Sequence, residues 1–362
     1  MGEIAALLIV FVLVLAVKKP LLLRFYLQLA VGRTTKLLWF LQQLLTGSNK
    51  DDETERQIEW LHGQELQKTE IMSRDGFTLT GYYLEHPKAE RIVLMFHGWR
   101  GRWDKDCAAL AHGLYEKNAS ILMVNQRAHG LSEGRYIGFG VLERYDCQKW
   151  IEYLDSRTGE LPIYLSGVSM GASTVLMAAG EELPDCVKGV IADCGYTSPY
   201  EMVKIFAKKF MHMEGRAAEH TINEVNHMCR KKAGYDLRDY STVEAMRRCR
   251  LPVFFAHGTE DHFVPYEMTL ENYDACAGRK LLYTAEGASH TKSYITGPAK
   301  YMEALAVRKS WMLMPSWSRM RQIMRRTAGM HTQLRHWKGR TRSILLNRQR
   351  MYWLIRRRQT RM

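Results

Sequence analysis

Short apolar runs recur through the middle of the chain, and helical segments such as 141–154 and 171–180 separate most of them. The runs cover residues 92–96, 121–124, 163–168, 187–192, 253–256 and 281–283, and before them residues 77–84 alternate apolar and polar positions like an edge strand. Apolar strands that alternate with helices are typical of a mostly parallel sheet with both faces covered. The pattern therefore predicts an α/β protein with a doubly wound sheet flanked by helices.

Residues 199–250 contain no strand-like run and are predicted to form a small helical cap over the sheet edge. The apolar side chains of this cap include Phe206, Phe210, Met211 and Met213. Residues 47–55, with the sequence GSNKDDETE, are typical of a linker. We therefore predict a catalytic domain at 47–306, with the cap at about 199–250.

Residues 1–46 are predicted to be a membrane anchor followed by an interfacial segment. The uncharged apolar run 4–17 precedes Lys18 and Lys19, whose stems can extend its reach toward the roughly 20 residues of a full span. A cleaved signal peptide is the alternative, but the basic residues before the run and the small-x-small site after it are both missing. The positive charges follow the run, which predicts a single-pass anchor with the catalytic domain in the cytoplasm.

A second apolar stretch at 37–45 leaves two interpretations open. Leucines, a tryptophan and a phenylalanine cluster there, interrupted by two glutamines. Such a segment can lie along the membrane interface, or it can be a helix that packs on the domain.

The positive charge is concentrated at the C-terminal end. The chain of 362 residues has a net charge of +14, and 16 of its 52 Lys and Arg residues lie in 307–362, where there is no acidic residue. The rest of the chain is nearly neutral, so its charge gives no reason to expect nucleic acid at the catalytic domain. The basic tail at 307–362, which also carries aromatic residues, is predicted to contact an anionic bilayer. RNA binding and a solvated tail without a partner are the alternatives.

The seven cysteines give no sign of a disulfide framework or a zinc site. Their number is odd and none of them forms a CxxC pair. This usage suits a reducing compartment, in which most of them are buried small apolar residues.

Gly167-Val168-Ser169-Met170-Gly171 is the sharpest chemical signal in the sequence. It follows an apolar strand directly and opens a helix. A serine on such a tight strand-to-helix turn is pushed out of the sheet with its Oγ accessible, and small flanking residues avoid clashes in the turn. Ser169 is therefore the predicted nucleophile.

A serine nucleophile needs a base and an orienting acid, which follow it in the order Asp, His on this type of sheet. Asp261 comes after the strand at 253–256, and His290 comes after the next strand. These two residues are predicted to complete a catalytic triad. Asp193, which follows the strand at 187–192, is the alternative acid, whereas His257 is interpreted as structural.

The predicted oxyanion hole consists of two backbone N–H groups. The Met170 N–H lies at the start of the new helix, where the helix dipole also favours negative charge. The Trp99 N–H belongs to the loop His97-Gly98-Trp99-Arg100-Gly101 after an earlier strand, where glycine lets the backbone approach a substrate.

Six blocks between about residues 71 and 306 resemble bacterial α/β hydrolases of the esterase and aminopeptidase-like branch, which are often membrane-anchored. The blocks are HGWRG, NQRAHGLSEG, GVSMGAS, DCGYTSP, HGTEDHFVP and GASHTKSY. The resemblance implies the α/β-hydrolase fold, a serine nucleophile, an oxyanion hole of two N–H groups, and neither metal nor organic cofactor. Family members usually have Asp where Asn125 stands, a departure that affects loop anchoring and leaves the triad intact. The resemblance does not extend to the basic tail.

The predicted function is hydrolysis of carboxylic esters through an acyl-enzyme formed on Ser169. Peptidase and acyltransferase chemistry use the same groups and remain alternatives. A non-catalytic, membrane-anchored binding protein is a further alternative, although it would have no need of all three triad residues.

Overall fold

The computed structural model describes residues 21, 23–33, 52–159 and 161–306. Within this part of the chain eight strands form one sheet. They are β1 (Leu66–Met72), β2 (Thr78–Leu84), β3 (Arg91–Phe96), β4 (Ala119–Val124), β5 (Ile163–Val168), β6 (Val187–Asp193), β7 (Val253–Gly258) and β8 (Lys280–Ala285).

Helices cover both faces of this sheet. From residue 52 onward they are α1 (Asp52–His62), α2 (Trp103–Asp106), α3 (Ala108–Tyr115), α4 (Glu143–Thr158), α5 (Met170–Ala179), α6 (Pro199–Met211), α7 (Gly215–Ala233), α8 (Thr242–Arg248), α9 (Tyr266–Ala275), α10 (Ser293–Thr296) and α11 (Pro298–Ala306). The N-terminal helix, at residues 21 and 23–31, precedes them.

The strand order is β1-β2-β4-β3-β5-β6-β7-β8. β1 and β2 run antiparallel to their neighbours, and every pairing from β4 to β8 is parallel. This arrangement confirms the predicted mostly parallel sheet with the α/β-hydrolase fold. The carboxyl ends of β5, β7 and β8 lie at one edge, where ligands and reactive groups gather in such sheets.

Two details at the antiparallel end of the sheet differ from the prediction. The alternating strand at 77–84 is β2, which lies second in the sheet, between β1 and β4. β1 takes the edge position and has no fully buried residue, so it lacks the apolar run from which the central strands were predicted. By contrast, every residue of β3, β4 and β5 is buried.

The predicted helical cap consists of α6, α7 and α8. Ser198 and Ser241 begin α6 and α8 as N-caps, where each side-chain oxygen accepts a hydrogen bond from a backbone N–H three residues later. Apolar residues of α6, among them Met202, Val203 and Ala207, pack into the main hydrophobic core.

The N-terminal helix packs on the catalytic domain. Leu27 and Val31 are 4% and 0% exposed and belong to the main core. Directly after the helix, Gly32 pairs with Tyr136, and the Arg33 guanidinium donates to the Ser132 carbonyl at 2.7 Å. Residues 23–33 thus contribute to the hydrophobic core, although they lie before the boundary predicted at residue 46.

Most of the predicted anchor, the stretch 37–45 and the basic tail lie outside the described residues. In the part that the structure describes, no helix combines the length and the apolarity that a membrane span requires. The predicted boundaries at 46 and 306 stay predictions.

Candidate active site

Ser169 occupies the turn between β5 and α5. Its backbone has φ 55° and ψ −118°, a conformation that is strained for a residue with a side chain. The flanking glycines make this turn possible: a Cβ on Gly167 would lie 2.2 Å from the Gly171 carbonyl oxygen, and one on Gly171 would lie 2.1 Å from the Phe96 oxygen. The turn therefore holds the serine at the carboxyl edge of the sheet.

The three predicted triad side chains lie in contact. His290 follows β8, and its Nε2 is 3.0 Å from Ser169 Oγ. Asp261 follows β7, and its Oδ2 is 2.6 Å from His290 Nδ1. The serine and the aspartate are buried, while the imidazole is partly exposed. This geometry lets the imidazole take a proton from the serine while the carboxylate fixes its orientation.

The Asp261 carboxylate accepts hydrogen bonds on both oxygens. Oδ1 accepts from the N–H groups of Phe263 and Val264 at 2.8 and 2.9 Å, and Oδ2 also lies 3.1 Å from His257 Nε2. Burial favours a higher pKa for Asp261, but the hydrogen bonds from His257 and His290 outweigh it and hold the pKa far below its usual range. The group is therefore a carboxylate at any physiological pH.

Asp193, the alternative acid, has a different partner. Its Oδ1 accepts a 2.6 Å hydrogen bond from Ser293 Oγ, and the side chain lies beneath the site at the end of β6. Burial raises the pKa of Asp193, an effect that the bond from Ser293 only partly offsets. Asp261 is the carboxylate in contact with His290, and Asp193 supports the loop that follows this histidine.

The loop after β3 brings Trp99 beside the nucleophile. A Cβ on Gly98 would lie 3.4 Å from Ser169 Cβ, which shows how closely the loop approaches. The Gly98 N–H donates to Asp106 Oδ2 at 2.8 Å, and the Arg100 N–H donates to a histidine ring nitrogen at 3.1 Å.

The backbone N–H groups of both neighbours of Trp99 are thus hydrogen-bonded. The Trp99 N–H itself has no acceptor among the described residues. The Met170 N–H is at the first position of α5, where helix N–H groups have no carbonyl partner within the helix. Both N–H groups are therefore available to a substrate oxygen, as the predicted oxyanion hole requires of its donors.

Two buried histidines hold the loop at 97–101, which we call the oxyanion loop, in place. His97 Nδ1 contacts the Gly98 carbonyl, and its Nε2 accepts from the Gln126 N–H at 3.1 Å. His129 Nε2 accepts from the Arg100 N–H. Burial lowers the pKa of both imidazoles. These contacts give both histidines a structural role in the loop.

Arg127 ties together the loops on the other side of the site. Its guanidinium is 3% exposed and pairs with Asp146 on α4 and with Asp75 in the β1–β2 turn. Nearby, Asn125 Nδ2 donates to Thr80 Oγ1 at 2.9 Å, so the amide that replaces the usual aspartate still anchors this loop to β2.

A row of aromatic rings leads from the imidazole to the oxyanion loop. The ring centroids of His290 and Phe263 are 4.7 Å apart, those of Phe263 and Phe206 5.2 Å, and those of Phe206 and Trp99 5.1 Å. All four side chains are partly exposed. The row places an apolar wall beside the nucleophile, and the cap contributes Phe206 to it.

One group of potential metal ligands among the described residues overlaps the triad. Cys194, Asp261 and His290 offer atoms within 4.8 Å of one another. Metal binding requires a thiolate, but burial raises the pKa of the Cys194 thiol well above its usual value. The other two groups already bond to each other. The donor set therefore fits a triad better than a metal centre.

Three contacts that support the site were not predicted from the sequence, one of them made by His257, for which only a structural role was predicted. His257 contacts the triad carboxylate, Asp106 holds the oxyanion loop, and the N-terminal helix lies against the same loop. The indole Nε1 of Trp99 donates to the Ala30 carbonyl at 3.1 Å. The Arg100 guanidinium donates to carbonyls near the end of that helix. The spacing of His257 four residues before Asp261, at a strand end, was the one available signal.

The sequence is similar to one described family and to several curated proteins. A model of the serine aminopeptidase family S33 matches residues 87–247. The uncharacterized protein YqkD of Bacillus subtilis is 25% identical over 246 residues, which cover 67% of this chain and 79% of that protein. The α/β-hydrolase domain-containing protein WAV2 of Arabidopsis thaliana is 22% identical over 205 residues, with 54% and 61% covered.

Solved structures share the fold. An esterase of Pyrococcus furiosus superposes with a TM-score of 0.57 at 19% identity, over 74% of this chain and 96% of that one. Est1E of Butyrivibrio proteoclasticus, with ferulic acid bound, gives 0.52 at 19% identity, over 66% and 99%. Taken with the strand order, these likenesses show that the chain has the α/β-hydrolase fold.

Proposed function

We propose that this protein is a serine hydrolase that cleaves carboxylic esters through an acyl-enzyme intermediate. The observation that carries the proposal is the chain of contacts from Ser169 Oγ to His290 Nε2 at 3.0 Å, and from His290 Nδ1 to Asp261 Oδ2 at 2.6 Å. The strained turn at the serine and the two N–H groups beside it support the same chemistry.

In the first half-reaction His290 Nε2 takes the proton of Ser169 Oγ as this oxygen attacks the ester carbonyl. The carbonyl oxygen becomes an oxyanion and accepts hydrogen bonds from the N–H groups of Met170 and Trp99. The tetrahedral intermediate collapses as His290 gives its proton to the departing alcohol oxygen. The acyl group remains on Ser169.

In the second half-reaction water replaces the alcohol. His290 removes a proton from the water, which attacks the acyl carbonyl through a second oxyanion. Collapse breaks the bond to Ser169 Oγ, returns the proton to this oxygen and releases the carboxylic acid. Asp261 stays ionised throughout and stabilises the imidazolium form of His290.

The aromatic row Trp99, Phe206 and Phe263 supports an apolar acyl or aryl group as the substrate portion next to the carbonyl. The solved esterases that share the fold support an ester as the scissile group. The family match to serine aminopeptidases supports an amide bond as the second candidate.

Fluorophosphonate labelling and p-nitrophenyl ester hydrolysis test the proposal directly. Ser169→Ala should abolish labelling and lower kcat by about 10⁴-fold or more, because the nucleophile is lost. Ser156→Ala, which removes an exposed hydroxyl on α4, is the matched control and should retain both. Labelling of the wild type at another serine would reject the assignment of Ser169, whereas no labelling of the folded wild type would favour the non-catalytic alternative.

Amide substrates distinguish the second candidate. If the protein is an esterase, it should turn over p-nitrophenyl esters faster than aminoacyl p-nitroanilides. The ratio of the two enzymatic rates should exceed the ratio of the uncatalysed hydrolysis rates. Turnover of the anilides at a comparable rate would make the protein a peptidase with the same triad.

We also propose attachment to the membrane through residues 1–46, with the catalytic domain in the cytoplasm and the basic tail on anionic lipid. The support is the sequence: the apolar run at 4–17, the positive charges after it, and the polycation at 307–362. Cell fractionation, and protease added to intact cells, test the attachment and the orientation. A processed protein in the medium would favour the signal peptide instead.

A further inference from the structure

The N-terminal helix exposes a stripe of large apolar side chains. Leu21, Phe25 and Leu29 are 58%, 52% and 37% exposed. In the described part of the chain they make up three of the five exposed large hydrophobic residues, the others being Met72 and Leu131. Side chains four apart fall on one face of a helix, so the three form a continuous strip, the apolar stripe.

The opposite face of the same helix is buried in the catalytic domain. Leu27 and Val31 belong to the main core. Since successive residues are rotated by about 100° around the helix axis, these two side chains point about 140° away from the apolar stripe. The helix is therefore docked, and the apolar stripe points away from the domain. A large exposed apolar strip on a docked element indicates a binding surface.

The sequence that leads into the helix identifies the partner. Residues 4–17 are apolar and uncharged, and Lys18, Lys19 and the exposed Arg24 lie between that run and the rest of the stripe. An amphipathic helix with apolar side chains and flanking basic residues matches the boundary between acyl chains and anionic headgroups. We propose that the apolar stripe inserts into one leaflet of an anionic bilayer.

A second copy of the chain fits this surface less well. A stable dimer buries about 800 Å² on each partner, more than three half-exposed side chains provide. The basic residues beside the stripe would also face those of a symmetric partner and repel them. A bilayer satisfies both the apolar and the basic groups.

This surface places the loop that carries Trp99 and Arg100 close to the membrane. The carbonyl of Ala30 accepts from the Trp99 indole, and that of Leu29 accepts from the Arg100 guanidinium at 2.9 Å. The N-terminal helix and the oxyanion loop are thus directly hydrogen-bonded to each other. The proposal deepens the proposed membrane attachment, on which it rests for the apolar run at 4–17, but it does not depend on the proposed hydrolysis, because its test measures position and not turnover.

Nitroxide labels on the full chain test the position of the stripe. Cys186 is the partly exposed native cysteine, while the other six are buried, so Cys186→Ser gives a parent with little background labelling. Phe25→Cys and Leu29→Cys report on the stripe. Met72→Cys, at a 59% exposed position on β1, is the matched control. Each variant is labelled and placed with vesicles of phosphatidylcholine and phosphatidylglycerol.

Collisions with oxygen, which enters lipid, are compared with collisions with a polar nickel chelate, which hydrocarbon excludes. On addition of vesicles, labels at 25 and 29 should lose roughly tenfold in nickel collisions and gain in oxygen collisions, whereas the label at 72 should change in neither. Nickel accessibility at 25 and 29 that matches position 72 overturns the proposal. Labels shielded from both reagents, with broadened spectra, also overturn it and assign the stripe to a second copy. If Phe25→Cys does not fold, Leu21→Cys reports on the same face.

Discussion

Replacement of His257 tests whether a second histidine controls the triad carboxylate. Its ring is fully buried, and Nε2 faces two acceptors, Asp261 Oδ2 and the Val264 carbonyl, both at 3.1 Å. A nitrogen between two acceptors carries a proton, so Nε2 is a donor to the carboxylate. The other ring nitrogen contacts Thr269 Oγ1 at 2.7 Å. His257 is therefore a positioning residue that acts through Asp261.

The magnitude follows from one hydrogen bond to a buried charge. Such a bond contributes about 1.5–3 kcal/mol. If the whole of it were lost in the transition state, His257→Leu would lower kcat by about 10- to 150-fold. That range lies well below the loss of about 10⁴-fold expected when Asp261 itself no longer accepts from His290. KM should change little, because His257 is fully buried and its polar contacts are with Asp261, Val264 and Thr269, none of which belongs to the aromatic row.

The pH profile separates a positioning role from a packing role. Without the bond from His257, Asp261 becomes a stronger base and holds the proton on His290 more tightly. The acid limb of kcat/KM should therefore move to higher pH in His257→Leu. His257→Gln, whose amide N–H can reach the same oxygen, should restore part of kcat and return the limb toward its original position.

Two controls complete the experiment. Thr269→Val removes the contact on the other ring nitrogen and should have the smaller effect on kcat. His262→Leu changes a histidine whose side chain is 81% exposed and should have none. Urea unfolding confirms that each variant is folded. If folded His257→Leu keeps the wild-type kcat and the wild-type acid limb, the bond does not contribute to catalysis and our reasoning is wrong.

Further predictions concern the acid and the N-terminal helix. Asp261→Asn should lower kcat by about 10⁴-fold, and Asp193→Asn should have a much smaller effect; the reverse ranking in steady-state kinetics would assign the acid to Asp193. Because the folded-state pKa of Asp261 is depressed, its charge stabilises the fold above the unfolded pKa of about 3.9, and this stabilisation should be lost as the pH falls toward the folded-state value. In acid unfolding followed by circular dichroism, the stability of Asp261→Asn should fall less steeply with decreasing pH than that of the wild type. Leu27→Ala should cost about 2–5 kcal/mol of unfolding free energy and Leu29→Ala no more than about 0.5 kcal/mol, as measured by urea denaturation; equal costs would mean that the helix is not docked as described.

The local pattern was enough to predict the central sheet and the positions of the triad residues. β3 to β7 are buried on both faces, so each shows as an apolar run, and a residue directly after such a run lies at the carboxyl edge of the sheet. The prediction missed β1 because Leu66–Met72 has no fully buried residue, and hence no apolar run.

Side-chain partners across the fold were less predictable. His257 precedes Asp261 by four residues, but only the turn between β7 and α9 decides that the two side chains meet. The bond from the Gly98 N–H to Asp106 likewise depends on how the oxyanion loop folds over α2. Such contacts have no periodicity, and a spacing such as that between His257 and Asp261 is compatible with a contact but does not predict it.

The N-terminal helix shows a physical limit of hydropathy as a predictor. Leucine, valine and phenylalanine lower their free energy by leaving water, whether their new surroundings are lipid or protein, because the hydrophobic effect is non-directional. Residues 1–46 were therefore assigned together to the membrane, although Leu27 and Val31 lie in the core while Phe25 and Leu29 face outward. The helical period separates these two faces, but only the docked structure shows which of them the protein already covers. If the outward face meets a bilayer, one short helix joins the lipid to the loop that carries the predicted oxyanion donor Trp99, with two of these apolar residues facing the protein core and two facing the lipid.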